Sequence, residues 1–340
     1  MISGSYRFVI RLEDDAVLPC YKGSTFRGVL GHALKKVVCA LKRQECPTCL
    51  LKGNCAYAMI FETSCAVDVP DGSRVSSAPS PLVLRPPMST RHDFKKGETL
   101  ECTLLIFGEL NRSLQYFIYA FEQMGRIGIG KIIDGKRSRF VLESVTSTFG
   151  NLAVYTENTP QVTLPEQLEY ITLTSDGDSD ESPAEGSGDG ESPAAGSGDA
   201  NGDSAAAGTL VMEIQTPLRI IARQVPVASL PFPMLLRSII RRTTSLLNIY
   251  GDGEPKMDYA GLIALSEQIS ISNNSLRWFD WKRYSSTQDK KMFMGGLVGK
   301  VEYQGDFAPF LPLLRMAEKV HIGKNTAFGL GRVHFFSRQE

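Results

Sequence analysis

From Tyr6 to Glu13 polar and apolar residues alternate, the period of a half-buried strand. A Pro19–Gly23 turn follows, and Ser24 or Thr25 is placed to cap a helix running to about Leu41. The apolar stripe of that helix is Phe26, Val29, Leu30, Ala33, Leu34, Val37 and Val38. Gly28, His32, Lys35, Lys36 and Cys39 fall on its other side. Tyr57–Ser64 reads as an extended or short helical segment. Pro81–Arg85 and Leu100–Glu109 read as strands, Ser113–Met124 as a helix and Phe140–Thr146 as a closing strand. Strand, helix, strand, strand, helix, strand is the order of the ferredoxin-like split β-α-β unit.

The second half repeats this order. Thr209–Ile221 is a strand interrupted by Pro217, and Met234–Tyr250 is a basic helix carrying Arg237, Arg241 and Arg242. A further helix is expected over Lys256–Gln268. Phe279–Tyr284 and Lys291–Tyr303 are expected to pair around Ser285–Lys290, followed by a helix at Phe310–Val320 and a last strand. The reading is an α+β chain of two tandem ferredoxin-like domains, 1–172 and 209–340, joined by an insert at 173–208. In units of this kind a sheet face or the cleft between units takes single-stranded RNA, although fold alone does not settle function.

Composition changes this picture in one place. Ser175–Gly208 holds nine acidic residues and no Lys or Arg, and Glu181–Gly190 matches Glu191–Ala200 at eight of ten positions. A tract of Ser, Gly, Asp, Pro and Ala has too little apolar area to offset its ordering entropy, so it is expected to be a disordered linker. Overall the chain has 37 basic and 37 acidic residues. Removing the nine leaves 28 acids against 37 bases, so the folded part carries about +9 and suits a polyanionic partner. No apolar run approaches membrane length, and no basic-then-apolar leader opens the chain, so a soluble cytoplasmic protein with no membrane partner is expected.

Two glycine clusters stand out. Gly125-Arg126-Ile127-Gly128-Ile129-Gly130-Lys131 follows the second helix, ahead of a basic strand at Lys136–Leu142. His321-Ile322-Gly323-Lys324 through Gly329-Leu330-Gly331-Arg332 follows the last helix. Glycine permits positive φ and close backbone approach, and the flanking Lys131, Lys324 and Arg332 suit a phosphate. Gly323, Lys324, Gly329, Gly331, Arg332 and Lys131 are therefore candidate RNA contacts, and Arg283, in the basic stretch Lys282-Arg283, is one more. The first cluster lacks P-loop spacing, and neither cluster follows a strand and opens a helix as a dinucleotide site requires. Cys39, Cys46, Cys49 and Cys55 surround a Cys46-Pro47-Thr48-Cys49 knuckle, whose spacing suits a structural tetrahedral zinc, with an iron–sulfur cluster as second choice. Such a closed site has no position for a reactive water.

Trp281-Lys282-Arg283-Tyr284, Gly295-Gly296-Leu297-Val298-Gly299, Phe310-Leu311-Pro312-Leu313-Leu314 and the His321–Arg332 loop, in that order, resemble the CRISPR repeat-processing endoribonucleases of the RAMP superfamily. The Phe26–Leu34 helix and the segment ending Ala56–Glu62 are similar too, so the resemblance covers nearly all but the insert. It implies cutting of precursor CRISPR RNA within its repeats by attack of a ribose 2′-hydroxyl, with no catalytic metal and with CRISPR effector subunits as further partners. It also implies a general base in or after the first helix; His32 is the nearest match, with Lys35 and Tyr21 as helpers. His321, at a helix end whose dipole would raise its pKa, is the second candidate. Other RAMP proteins bind guide RNA without cutting it, and that is the competing expectation.

Overall fold

The computed structural model describes every residue except Arg43, Arg74, 159–160, 174–207, 223–224, 227–228, 281, 286–289, 294 and 339–340; at 221–222, 225–226, 282–285 and 290–293 it describes the backbone alone. The acidic repeat thus lies outside the described residues, apart from Gly208, which already opens a strand.

The first domain is built on β1 (Ile2–Leu12), whose Tyr6, Phe8, Ile10 and Leu12 are buried on one face. It lies between β3 (Thr99–Phe107) and β4 (Phe140–Ser147), with β2 (Leu82–Arg85) and β5 (Leu152–Thr156) outside them, in the order β2-β3-β1-β4-β5. All these pairs are antiparallel. Helices α1 (Gly23–Val38) and α2 (Leu114–Ile127) cover the apolar face. From α2, Phe121 stacks on Phe8 at 4.3 Å between ring centroids. Each such buried ring contributes roughly 2 kcal/mol through apolar burial.

Three local expectations change. Ser24 and Thr25 lie inside α1, whose N-cap is Lys22 without a side-chain capping bond. The Lys22 side chain is instead fully buried, with Nζ donating to the carbonyls of Ser89 (2.5 Å), Arg91 (3.0 Å) and Pro19 (3.3 Å), a set of backbone acceptors that sequence proximity cannot reveal. Tyr57–Ser64 resolves into two short helices, Ala56–Phe61 and Thr63–Ala66. After α2 the chain forms a hairpin, Ile129–Ile133 with Lys136–Ser138, before β4 begins.

The second domain follows the same plan. β6 (Gly208–Leu218) is central, α3 (Phe232–Tyr250), α4 (Tyr259–Ser266) and α5 (Leu311–Val320) are its helices, and β7 (Ser270–Asn274), β8 (Gly296–Gly305) and β9 (Val333–Ser337) complete the order β7-β8-β6-β9. The β6–β8 register breaks between Ile214 and Leu218, around Pro217, which has no N–H to give the ladder. The expected hairpin divides in two: Arg277–Phe279 pairs with β8, while Lys282–Ser285 pairs with Lys290–Phe293. Two ferredoxin-like units in tandem are the fold.

The units are held by a separate apolar cluster. Val83, Leu105 and Phe107, on the face of the first sheet turned away from its own helices, meet Leu246 and Leu247 of α3 and Met316 and Val320 of α5. The helices of the second domain therefore rest on the open sheet face of the first, and the space beside that contact is a cleft.

Candidate nucleic-acid interface

The glycine loop begins where α5 ends, at His321, whose φ of +57° turns the chain sharply. Its backbone is tied by N–H bonds from Ile322 to Gly331 O (3.0 Å), Gly331 to Pro217 O (3.1 Å) and Lys324 to Arg219 O (2.9 Å). Thr216 Oγ1 donates to Gly329 O and accepts from Arg332 N, each at 2.8 Å. Several N–H groups that could face a phosphate are thus engaged within the second domain. The glycines serve close approach: a Cβ on Gly329 would collide with the Leu84 carbonyl of the first domain, and one on Gly331 with the Ile322 carbonyl. The loop also meets the start of α1, where Gly23 backs against the Phe328 carbonyl and the Tyr21 hydroxyl donates to that same oxygen at 2.8 Å.

Next to this loop the cleft has a volume of about 300 Å³ and is lined from both domains, with Arg85, Gln215, Lys319 and Arg332 among its walls. Arg85 ends the buried strand β2. Its Nε donates to His321 Nε2 at 2.8 Å, and His321 Nδ1 donates to Leu330 O at 3.0 Å, which fixes the neutral Nδ1–H tautomer. Burial, followed by the nearby charge of Arg332, lowers the Arg85 pKa to about 10. Burial, followed by the Arg85 charge, holds His321 well below the ordinary histidine value. The expectation that the helix end would raise it is therefore wrong: His321 is fully buried, and desolvation outweighs the dipole. Among the described residues, neither Arg85 nor Arg332 has a carboxylate within salt-bridge distance. Two unneutralised, mutually repelling arginines in one cleft are an electrostatic complement for an anion.

The candidates from the sequence are placed as follows. His32, Lys35 and Lys36 are exposed on one side of α1, and none of them lines the cleft; neither does Tyr21. The Tyr21 hydroxyl is held by its bond to Phe328, and burial raises its pKa. Along the same helix a ladder runs back to the loop. Lys35 Nζ lies over Tyr57 (5.1 Å), Tyr57 stacks on Phe61 (5.1 Å), and Arg27 lies between Phe61 (4.3 Å) and Phe328 (5.0 Å). Lys324 is exposed and Arg332 half-buried at the loop ends, Lys131 is exposed on the first-domain hairpin, and the Arg283 side chain lies outside the described residues. Sequence reading missed Arg85, since an arginine closing a short apolar strand carries no signal until the other domain is beside it.

Cys39, Cys46, Cys49 and Cys55 are all free and half-buried. Burial raises the Cys46 thiol, with Lys35, Glu62, Cys55 and Cys65 close enough to act on it. Among the described residues no three His, Cys, Asp or Glu side chains converge as a metal-holding group. The outward face of the second sheet pairs Lys300 with Glu213 (3.1 Å) and Arg338 with Glu302 (2.8 Å), and Lys300 Nζ also lies 5.6 Å from the centre of the exposed Phe336 ring.

Residues 212–333, which hold the later part of β6, the glycine loop and its connections, match the family model of the CRISPR-associated endoribonuclease Cas6. That match takes in about a third of the chain, all of it in the C-terminal domain. This is the repeat-processing RAMP resemblance carried by the glycine loop and the motifs before it. Residues 2–167 match a second family model, described only as an N-terminal domain. An uncharacterized protein of Archaeoglobus fulgidus is 25% identical over 319 residues, 92% of this chain and 91% of that protein. In fold, the chain is similar to Thermus thermophilus Cas6 (TM-score 0.51, 12% identity, 98% of each chain) and to a Cas6 product complex (TM-score 0.52, 12% identity, 98% of this chain and 100% of that one). It is also similar to part of a Cas6-RT-Cas1–Cas2 complex (TM-score 0.57, 12% identity), a likeness that takes in 100% of this chain but only 46% of that one. Within the described residues no helix is long and apolar enough to cross a membrane.

Proposed function

We propose that this protein is a Cas6-family endoribonuclease that cleaves precursor CRISPR RNA within its repeats and needs no catalytic metal. The observation that carries the reading is the Arg85–Arg332 pair in the interdomain cleft beside the glycine loop; neither arginine has a carboxylate partner among the described residues, while Glu169 and Glu318 of the same cleft are paired with Lys319 and His334. In the proposed step a ribose 2′-hydroxyl loses its proton to a general base and attacks the adjacent phosphorus. The 5′-oxygen leaves with a proton from a general acid, giving a 2′,3′-cyclic phosphate and a 5′-hydroxyl. Arginines next to the phosphate stabilise the extra negative charge of the transition state, an effect strengthened by partial burial. His32 is assigned as base, Lys35 and Tyr21 as its helpers, and Gly323, Lys324, Gly329, Gly331, Arg332, Lys131 and Arg283 as RNA contacts.

One observation favours a second reading, that of a RAMP subunit which holds guide RNA within a CRISPR effector complex and does not cut. His32, Lys35 and Tyr21 do not line the cleft, and the Tyr21 hydroxyl is engaged with Phe328. Incubation of end-labelled repeat RNA with the protein in EDTA separates the readings. Product ending in a cyclic phosphate supports the nuclease; tight binding with intact RNA supports the subunit.

A further inference from the structure

The two glycine clusters of the sequence end differently. The second folds back into the domain interface, whereas the first opens into the hairpin Ile129–Ile133/Lys136–Ser138, whose residues 131–137 are all exposed. Beside this hairpin lies a groove of about 480 Å³, lined by Arg126, Ile127, Ile132, Lys136, Arg137 and Arg139. Arg139 is partly neutralised by Asp14 at 3.5 Å and Glu13 at 3.9 Å. Arg126, Lys136 and Arg137 have no carboxylate partner among the described residues. Three free cations around a groove, with Ile127 and Ile132 standing 42% and 56% exposed inside it, form a cationic rim over a small apolar floor.

We propose that this groove binds a single-stranded stretch of the RNA substrate, outside the segment held in the interdomain cleft. Phosphates lie against Arg126, Lys136 and Arg137, and a base face rests on Ile127 and Ile132. A concave, positively charged track with apolar contacts suits a nucleic-acid strand. A flat lipid surface has no use for the concavity, and an apolar protein surface would leave the three cations desolvated and unpaired. The hairpin also packs against Val17 and α1, the helix whose first turn touches the glycine loop. The assignment rests on the RNA reading of the cleft, and it adds a separate contact that acts on length and not on the place of cutting.

The test uses the full chain and two repeat RNAs, one trimmed to the minimal cleaved segment and one carrying the flanking nucleotides on both sides. The wild type should bind the longer RNA more tightly. Arg126→Ala/Lys136→Ala/Arg137→Ala should bind the longer RNA at least tenfold more weakly at low salt. Its salt slope should be smaller by about 2, near 0.7 for each phosphate of a single strand that is no longer neutralised. Its affinity for the trimmed RNA should not change, which also reports that it folds. Ile132→Ser should weaken the longer RNA alone, with no change in salt slope. Equal binding of the longer RNA by wild type and triple variant overturns the proposal, as does loss of vesicle binding (phosphatidylglycerol) without loss of RNA binding. If the wild type binds neither RNA, the cleft reading fails, and the two failures are distinct.

Discussion

Gly331 sits at φ +74° with the Ile322 carbonyl where a Cβ would be. A β-branched residue there has both the wrong backbone region and no room, a penalty of about 2–4 kcal/mol from strain and clash together. Gly331→Val should lower the midpoint of thermal unfolding by several degrees, and a variant as stable as wild type would show that the loop relaxes freely. Arg85 and Arg332 act differently, through charge. Arg332→Ala should weaken repeat-RNA binding and reduce the salt slope by about 0.7–0.9 while leaving the fold intact, as read by titration at several ionic strengths. His32→Ala should leave affinity nearly unchanged and slow cleavage about 10²–10⁴-fold, the usual share of a general base. A silent His32→Ala in an active enzyme would move the base elsewhere. His321 offers no simple replacement, because its ring is buried and already accepts from Arg85.

Among the elements, the cysteine segment between α1 and the short helix Ala56–Phe61 is the least settled by pattern. We propose that it takes a structural zinc, since the Cys46–Cys49 knuckle keeps the spacing although its thiols do not converge in the described chain. Elemental analysis should find about one zinc per chain, lost together with first-domain stability in Cys46→Ser/Cys49→Ser. Metal-free protein with an unchanged melting curve would return these cysteines to ordinary packing. The elements that pattern did resolve are those with a clear apolar run or period: β1, α1, β2, β3, α2, β4, β6, α3 and α5. β7 was invisible because Ser270–Asn274 is exposed throughout and polar but for Ile271, an edge strand defined only by its pairing with β8. The basic strand expected at Lys136–Leu142 holds the second strand of the first-domain hairpin and the start of β4, but the pairing with Ile129–Ile133 was hidden, as these short strands bury only Ile129 and Ser138.

In the assembled chain, the bond from Arg85 to His321 joins the two domains and requires a neutral imidazole. With its folded pKa held below the unfolded value of about 6.5, His321 binds fewer protons when folded than when unfolded in acid. Its contribution is complete above pH about 6.5 and is lost as pH falls below it. Wild type should therefore lose more thermal stability between pH 7.5 and pH 5 than His321→Asn, a difference read by calorimetry at both pH values. Equal losses would remove His321 from that dependence. The acidic insert is predicted to be independent of this joint: replacing 175–207 with a short linker should leave melting and cleavage near wild type, and a large drop in either would show that it packs.

The two ferredoxin-like units were legible in the chain alone, because alternating and helical apolar periods are local and each unit buries its own core. The loop glycines were legible too, since glycine takes a positive φ most readily and admits the close backbone approach found at Gly329 and Gly331. Where the second domain sits on the first was not. Val83, Leu105 and Phe107 look like ordinary strand residues until α3 and α5 cover them. Arg85 is a plain strand end until His321 and Arg332 arrive from more than two hundred residues away. Apolar period reports which face of an element is buried within its own unit. The cleft depends on a contact between units, made by few residues and with no period, so its charge pair exists only once the two domains have docked.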